Sequence, residues 1–121
     1  MARILLAEDD PLMRRFLATA LRRAGHEVDA VGDGTAALDA VRRDEGYELL
    51  VADIVMPGLD GIELAREAAI AIPRLKIMFI TGFAAIAMKH RQSAGSNAQI
   101  LSKPFHLRDL VEQVNKLMAQ A

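Results

Sequence analysis

Four separated points of the chain carry the groups that phosphoryl chemistry requires: Glu8 with Asp9, then Asp53, Thr81 and Lys103. An aspartate carboxylate can act as a nucleophile toward a phosphoryl group and form an aspartyl-phosphate. Three carboxylates held together repel one another, and a hard divalent cation compensates them. Mg2+ takes oxygen ligands, keeps several waters and commonly uses one or two carboxylates plus phosphate. The lysine is a mobile point charge suited to a phosphate oxygen, and the threonine hydroxyl can hydrogen-bond another. Cation and ammonium together offset the charge that develops during transfer. All of this requires one fold to bring the five residues to one rim.

The elements that would position them follow from the apolar pattern. Leu49–Asp53 is a run of large apolar residues that ends on a single carboxylate and meets a Pro/Gly-rich loop, Met56-Pro57-Gly58-Leu59-Asp60-Gly61. Short apolar runs bounded by turn residues read as buried strands of a parallel sheet. Arg3–Ala7, Glu27–Val31, Lys76–Thr81 and Gln99–Ser102 read likewise as strands, the second nearer an edge. Helices are predicted between them. Asp10 caps a helix opened by Pro11, which carries Met13, Phe16, Leu17, Ala20, Leu21 and Ala24 on one face until Gly25 stops it. Thr35–Arg43, Ile62–Ile72, Ala84–Gln92 and Leu107–Met118 are the others. Strands alternating with helices make an α/β domain, a five-stranded doubly wound parallel sheet, for which the order 2-1-3-4-5 is chosen. In such sheets, ligands sit at the carboxyl ends of the strands. Glu8, Asp9, Asp53, Thr81 and Lys103 all fall there.

Each residue also has a plainer reading. Glu8, Asp9 and Asp10 suit the start of a helix through its dipole, and Asp10 keeps that role. A lone Asp at a strand end is commonly a turn former, and Lys-Pro is common in loops. Their joint occurrence at four strand ends favours chemistry.

The set Glu8-Asp9, Asp53, Thr81 and Lys103-Pro104 resembles the receiver domain of two-component response regulators over essentially the whole chain. The loop Asp53-Ile54-Val55-Met56-Pro57-Gly58-Leu59-Asp60-Gly61 is similar to that family's D-x-x-M-P-x-x-D-G. The resemblance implies a flavodoxin/CheY-like fold, Asp53 as phosphoacceptor and Asp9 as a direct Mg2+ ligand. It also implies Glu8 acting mainly through metal-bound water, the Val55 backbone carbonyl as a further ligand, and a cis Lys103–Pro104 bond. One position departs from the family. Receivers often carry an aromatic switch residue three positions before the lysine, and here that position is Ile100, a side chain stiff at χ1. The readout of phosphorylation is therefore expected to rest on Thr81 and the segment 82–85.

Two further segments resemble single-domain regulators of the CpdR type. They are Ile77-Met78-Phe79-Ile80-Thr81-Gly82-Phe83-Ala84-Ala85 and Leu101-Ser102-Lys103-Pro104-Phe105-His106-Leu107. Related segments occur in receivers of hybrid kinases. The narrower resemblance implies an adaptor whose unphosphorylated form primes a ClpXP-type protease, with a ClpX-type unfoldase as downstream partner. A histidine kinase or histidine phosphotransferase would be the phosphodonor. The helix at 84–92 is apolar nearly all round at its start. Ile86 and Met88 are thus expected to contact a partner on the side formed by that helix, the fifth strand and the last helix.

Composition sets the outer bounds. The 121 residues suit one domain, and residues 1–121 are expected to be a single receiver without an output domain. No cysteine excludes disulfides and thiol chemistry and fits a cytoplasmic location. A net charge of −1 gives no global reason to bind nucleic acid, and Arg14, Arg15, Arg22 and Arg23 read as a solvated helix face. No apolar run approaches the ~20 residues of a membrane span, and a monomer is expected. His26, His90 and His106 are expected to face solvent. Two competing readings are a Mg2+-dependent aspartyl-phosphate phosphatase and a receiver module detached from a hybrid kinase or DNA-binding regulator. Such a phosphatase needs an acid two residues after its nucleophile, where this chain has Val55.

Overall fold

The computed structural model describes residues 1–82 and 98–120. The five apolar runs form β1 (Arg3–Ala7), β2 (Glu27–Val31), β3 (Leu49–Asp53), β4 (Lys76–Thr81) and β5 (Gln99–Ser102), with the ends expected from sequence. All pair in parallel in the order β2-β1-β3-β4-β5. β3 is buried along its whole length, as a strand covered on both faces must be, and β2 lies at an edge. Four helices are described: α1 (Pro11–Arg23), α2 (Gly34–Arg43), α3 (Gly61–Ala71) and α4 (Leu107–Met118). The helix expected at 84–92, with Ile86, Met88 and His90, lies outside the described residues, as does the segment 83–85.

Each side of the sheet has its own core. Leu5, Leu50, Ile77 and Phe79 pack under α2 and α3 with Ala37, Val41, Leu64 and Ala68. Ile4, Leu6, Leu49, Val51, Met78 and Ile80 pack under α1 and α4 with Leu17, Leu21, Leu110 and Val114. Period-2 alternation thus decides which side each strand's last side chain inherits. Glu8 continues the Ile4–Leu6 row and Asp53 the Leu49–Val51 row, so both belong to the α1/α4 side. The register Ala7–Ala52 brings these two ends level.

The helix starts are local chemistry. Asp10 Oδ1 accepts from the Leu12 and Met13 N–H groups at 2.9 and 3.3 Å. Asp33 and Asp60 do the same for α2 and α3, accepting from Ala36 at 2.7 Å and Glu63 at 2.9 Å. Past the end of α1 the chain turns at Gly25, whose φ of +97° only glycine adopts without strain. Lys76 Nζ donates to the carbonyls of Leu117 and Gln120 at 2.8 and 2.6 Å, completing the end of α4.

Three expectations change. Phe16 is 49% exposed, beside an exposed Leu107, because the buried face of α1 is narrower than its apolar stripe: Leu17, Ala18 and Leu21 fill it. Arg14 and Arg22 are not simply solvated, since they donate to the Glu8 and Val28 carbonyls at 2.9 and 2.8 Å. His26 is half-buried rather than solvent-facing. Its Nδ1 accepts from the Ala2 N–H at 3.0 Å, and its Nε2 lies 2.8 Å from Asn115 Oδ1, tying α4 to the start of β1.

Gly61 locks the loop after β3. Its N–H donates to the Ile54 carbonyl at 2.9 Å, and a Cβ on it would drive into the carbonyl of Asp53 itself. Backbone cannot move aside cheaply, so Gly61→Ala is expected to cost about 1–3 kcal/mol by overpacking. Urea unfolding, read against wild type, checks this.

Candidate functional site

The strand ends bring the predicted residues together. Glu8 and Asp53 are almost wholly buried, at 1% and 7% exposure, while Asp9 is exposed. Ligand oxygens of Glu8, Asp9 and Asp53 all lie within 4.8 Å of one another. Lys103 crosses to them from beyond β5: Nζ stands 2.7 Å from Asp53 Oδ2 and 3.6 Å from Glu8 Oε1. The lysine is placed there by backbone, since its own N–H donates to the Thr81 carbonyl at 2.9 Å, and the Lys103–Pro104 bond is cis. Thr81 is fully buried at the end of β4, in register with Ser102.

The remaining site residues are distributed more widely. Val55 lies in the loop after β3 with its side chain exposed, and its N–H donates to Asp53 Oδ1 at 3.2 Å. Asp53 is therefore held at both oxygens, one by the amide two residues on and one by the ammonium. Ile100 is half-buried on β5 and packs against the α2/α3-side core. Sequence reading missed one contributor. Arg14 reaches back from α1 to the Glu8 carbonyl, and no spacing rule marks an arginine for that contact.

The electrostatics are unbalanced. Burial pushes the Glu8 carboxyl up to about 7; the Asp10 N–H donated to Oε2 at 3.1 Å opposes this, and the negative charge of Asp53 adds to it. For Lys103, partial burial works downward, but the hydrogen bond and charge of Asp53, with those of Glu8, outweigh it and the net direction is up. Among the described residues, one ammonium thus faces Glu8 and Asp53, with the Asp9 carboxylate beside them. Glu8 Oε1 is buried without a hydrogen-bond partner, which is costly unless something else meets it. Three clustered carboxylates and an orphaned buried oxygen are the donor set of a hard divalent cation, so the residues fit Mg2+. The same rim could accept a phosphoryl group on Asp53, with Lys103 at hand for its oxygens.

Known proteins resemble this chain in sequence and fold. The response regulator receiver domain matches residues 4–115. The response regulator receiver protein CpdR of Brucella abortus is 54% identical over 121 residues, covering all of both chains. The response regulator protein FleR of Pseudomonas aeruginosa is 34% identical over 93% of this chain, which spans only 24% of FleR. Among solved structures, the response regulator protein TrrA of Thermotoga maritima, in complex with Mg2+-BeF, superposes with a TM-score of 0.85 at 31% identity, covering 97% of this chain and 99% of that one. No helix among the described residues is long and apolar enough to cross a membrane. Relatedness along the full chain, with the same parallel sheet in a solved relative, makes this protein a member of the response regulator receiver domain family of two-component signalling.

Proposed function

We propose that the chain is a phosphorylation-dependent switch that accepts a phosphoryl group on Asp53 from a histidine kinase or histidine phosphotransferase and so controls binding to a downstream protein. The observation that carries this reading is the 2.7 Å contact between Lys103 Nζ and Asp53 Oδ2, at a rim where Glu8 and Asp9 crowd the same carboxylate. An Asp53 oxygen attacks the phosphorus, the bond from phosphorus to the donor's imidazole nitrogen breaks, and its electron pair returns to the imidazole. Lys103 exchanges the carboxylate for a phosphoryl oxygen as charge moves outward. Mg2+ held by Asp9, Asp53 and the Val55 carbonyl, with Glu8 acting through metal-bound water, would neutralise charge on the phosphoryl oxygens. The structure of TrrA in complex with Mg2+-BeF supports a Mg2+ site in this family, and the acidic cluster supports its place here.

The switch itself is assigned to Thr81. Its hydroxyl is drawn toward a phosphoryl oxygen and pulls the following segment with it, biasing two pre-existing states. An aliphatic Ile100, already packed against core, leaves that role to Thr81. The finer reading is an adaptor that acts through protein binding. Unphosphorylated, it primes a ClpX-type unfoldase for its substrates, and phosphorylation switches it off. Full-length similarity to CpdR supports this part. Turnover of an external phosphorylated substrate is not expected, since the position two residues after Asp53 is an exposed valine rather than an acid.

Incubation with a small acyl-phosphate donor and Mg2+, followed by intact-mass measurement, tests the core of the proposal. One phosphoryl adduct is expected, absent from Asp53→Ala and from wild type in excess chelator. An adduct that survives either change would remove Asp53 from its role. In the same assay, Lys103→Ala is expected to slow adduct formation on the order of a hundredfold, the usual scale for losing a preorganised charge partner, and stopped time points will read it.

A further inference from the structure

Arg14 takes no part in the chemistry above, yet it reaches the site from behind. It lies on α1 after the Asp10 cap, half-buried. Its Nη1 donates to the Glu8 carbonyl at 2.9 Å. The same nitrogen stands 2.9 Å from where a Cβ on Gly32 would lie, with Cζ at 3.6 Å. The guanidinium is therefore lodged between the end of β1 and the turn that leads into α2.

Glu8 is held at every polar group but one. Its N–H donates to the Val31 carbonyl at 3.1 Å, its Oε2 accepts from the Asp10 N–H at 3.1 Å, and its carbonyl accepts from Arg14. Only Oε1 has no hydrogen-bond partner, and it is the oxygen 3.6 Å from Lys103 Nζ. Removing the grip on the carbonyl would free the peptide that joins Glu8 to Asp9, and with it the aim of both carboxylates. A lysine is a poor replacement here, because its shorter stem ends in a compact ammonium that would leave empty the space beside Gly32 that the planar guanidinium fills.

We infer that Arg14 is a positioning residue: it fixes the Glu8–Asp9 backbone so that both carboxylates face Asp53, and position 32 is glycine because the guanidinium fills the space of a side chain there. This rests on the reading of that rim as a Mg2+ site. Removing the arginine altogether would also remove a positive charge near the cation, an effect of opposite sign. The informative variants therefore keep the charge: Arg14→Lys, and Gly32→Ala, which displaces the guanidinium without touching it chemically. The atom met by that new Cβ is the far end of a flexible side chain, so Gly32→Ala leaves the fold intact.

Titrate Mg2+ into wild type, Arg14→Lys, Gly32→Ala and the double variant, following the amide signals of Asp9 and Asp53 by NMR, and record urea midpoints without Mg2+. Each single variant is expected to bind Mg2+ about tenfold more weakly, the low end for outer partners of metal ligands, with its urea midpoint unchanged. The double variant is expected to bind no more weakly than Arg14→Lys alone, because both changes act through one guanidinium. Wild-type affinity in Arg14→Lys, or losses that add in the double variant, would overturn the inference alone. So would a loss that appears only with a lowered midpoint. A wild type whose Asp9 and Asp53 signals ignore Mg2+ would overturn the reading of the rim together with it.

Discussion

Everything at this rim follows from one electrostatic imbalance. Glu8 and Asp53 are both removed from water, Asp9 stands close to them, and among the described residues the Lys103 ammonium alone faces the buried pair. Two like charges under 5 Å apart repel by about 3–4 kcal/mol at the effective dielectric of a partly buried site. The protein does not relieve this internally. It instead satisfies Asp53 at both oxygens and leaves Glu8 Oε1 without a hydrogen-bond partner, 3.6 Å from the Lys103 ammonium. With the Glu8 carboxyl pushed up to about 7 by burial, the folded protein binds a proton there that the unfolded chain releases. Stability is then lost as pH rises from the ordinary glutamate range up to about 7. A ligand that supplies positive charge offsets that loss, which couples occupancy of the site to the energy of the fold.

The sheet makes the imbalance unavoidable. The β1–β3 register sets Glu8 level with Asp53, and strand alternation turns both to the α1/α4 side. Gly61 pins the loop from below against the Asp53 carbonyl, and Arg14 holds the Glu8 carbonyl from the other side. Lys103 arrives through its backbone bond to Thr81, the residue assigned to the switch. Acceptor, charge partner and switch are therefore linked through one strand end, so a change in charge at Asp53 has a short path to β4 and β5.

Much of this was legible in the sequence because it is encoded locally. Apolar runs with turn residues at their ends marked the strands, Asp10 and Pro11 marked the start of α1, and Gly25 its end. The strand-end carboxylates and lysine were found because the fold class implies where strand ends lie. What stayed hidden depends on partners distant in sequence. Helical periodicity put Phe16 with Leu17 on an apolar stripe, but the width of the stripe that neighbours cover is a property of packing, and Phe16 lies beyond it. His26 looked free because Asn115 is remote in sequence and Ala2 contributes only a backbone N–H. Helical periodicity puts Arg14 with Arg15, Arg22 and Arg23 off the apolar face, whereas its distinction is a backbone carbonyl across a turn. Gly61 was read as a motif residue, and the close approach that requires it appears only in three dimensions.

The most direct test of the charge imbalance is thermal unfolding of wild type and Glu8→Gln at mildly alkaline pH, each in excess chelator and in excess Mg2+. Gln keeps the shape and removes the buried charge. In chelator, Glu8→Gln is expected to melt higher than wild type because repulsion at the rim is relieved. Mg2+ should raise the wild-type midpoint, by about 2.7 kcal/mol of added stability at a hundredfold excess over Kd, and raise that of the variant much less. A variant that melts lower in chelator and gains as much from Mg2+ as wild type would contradict the account.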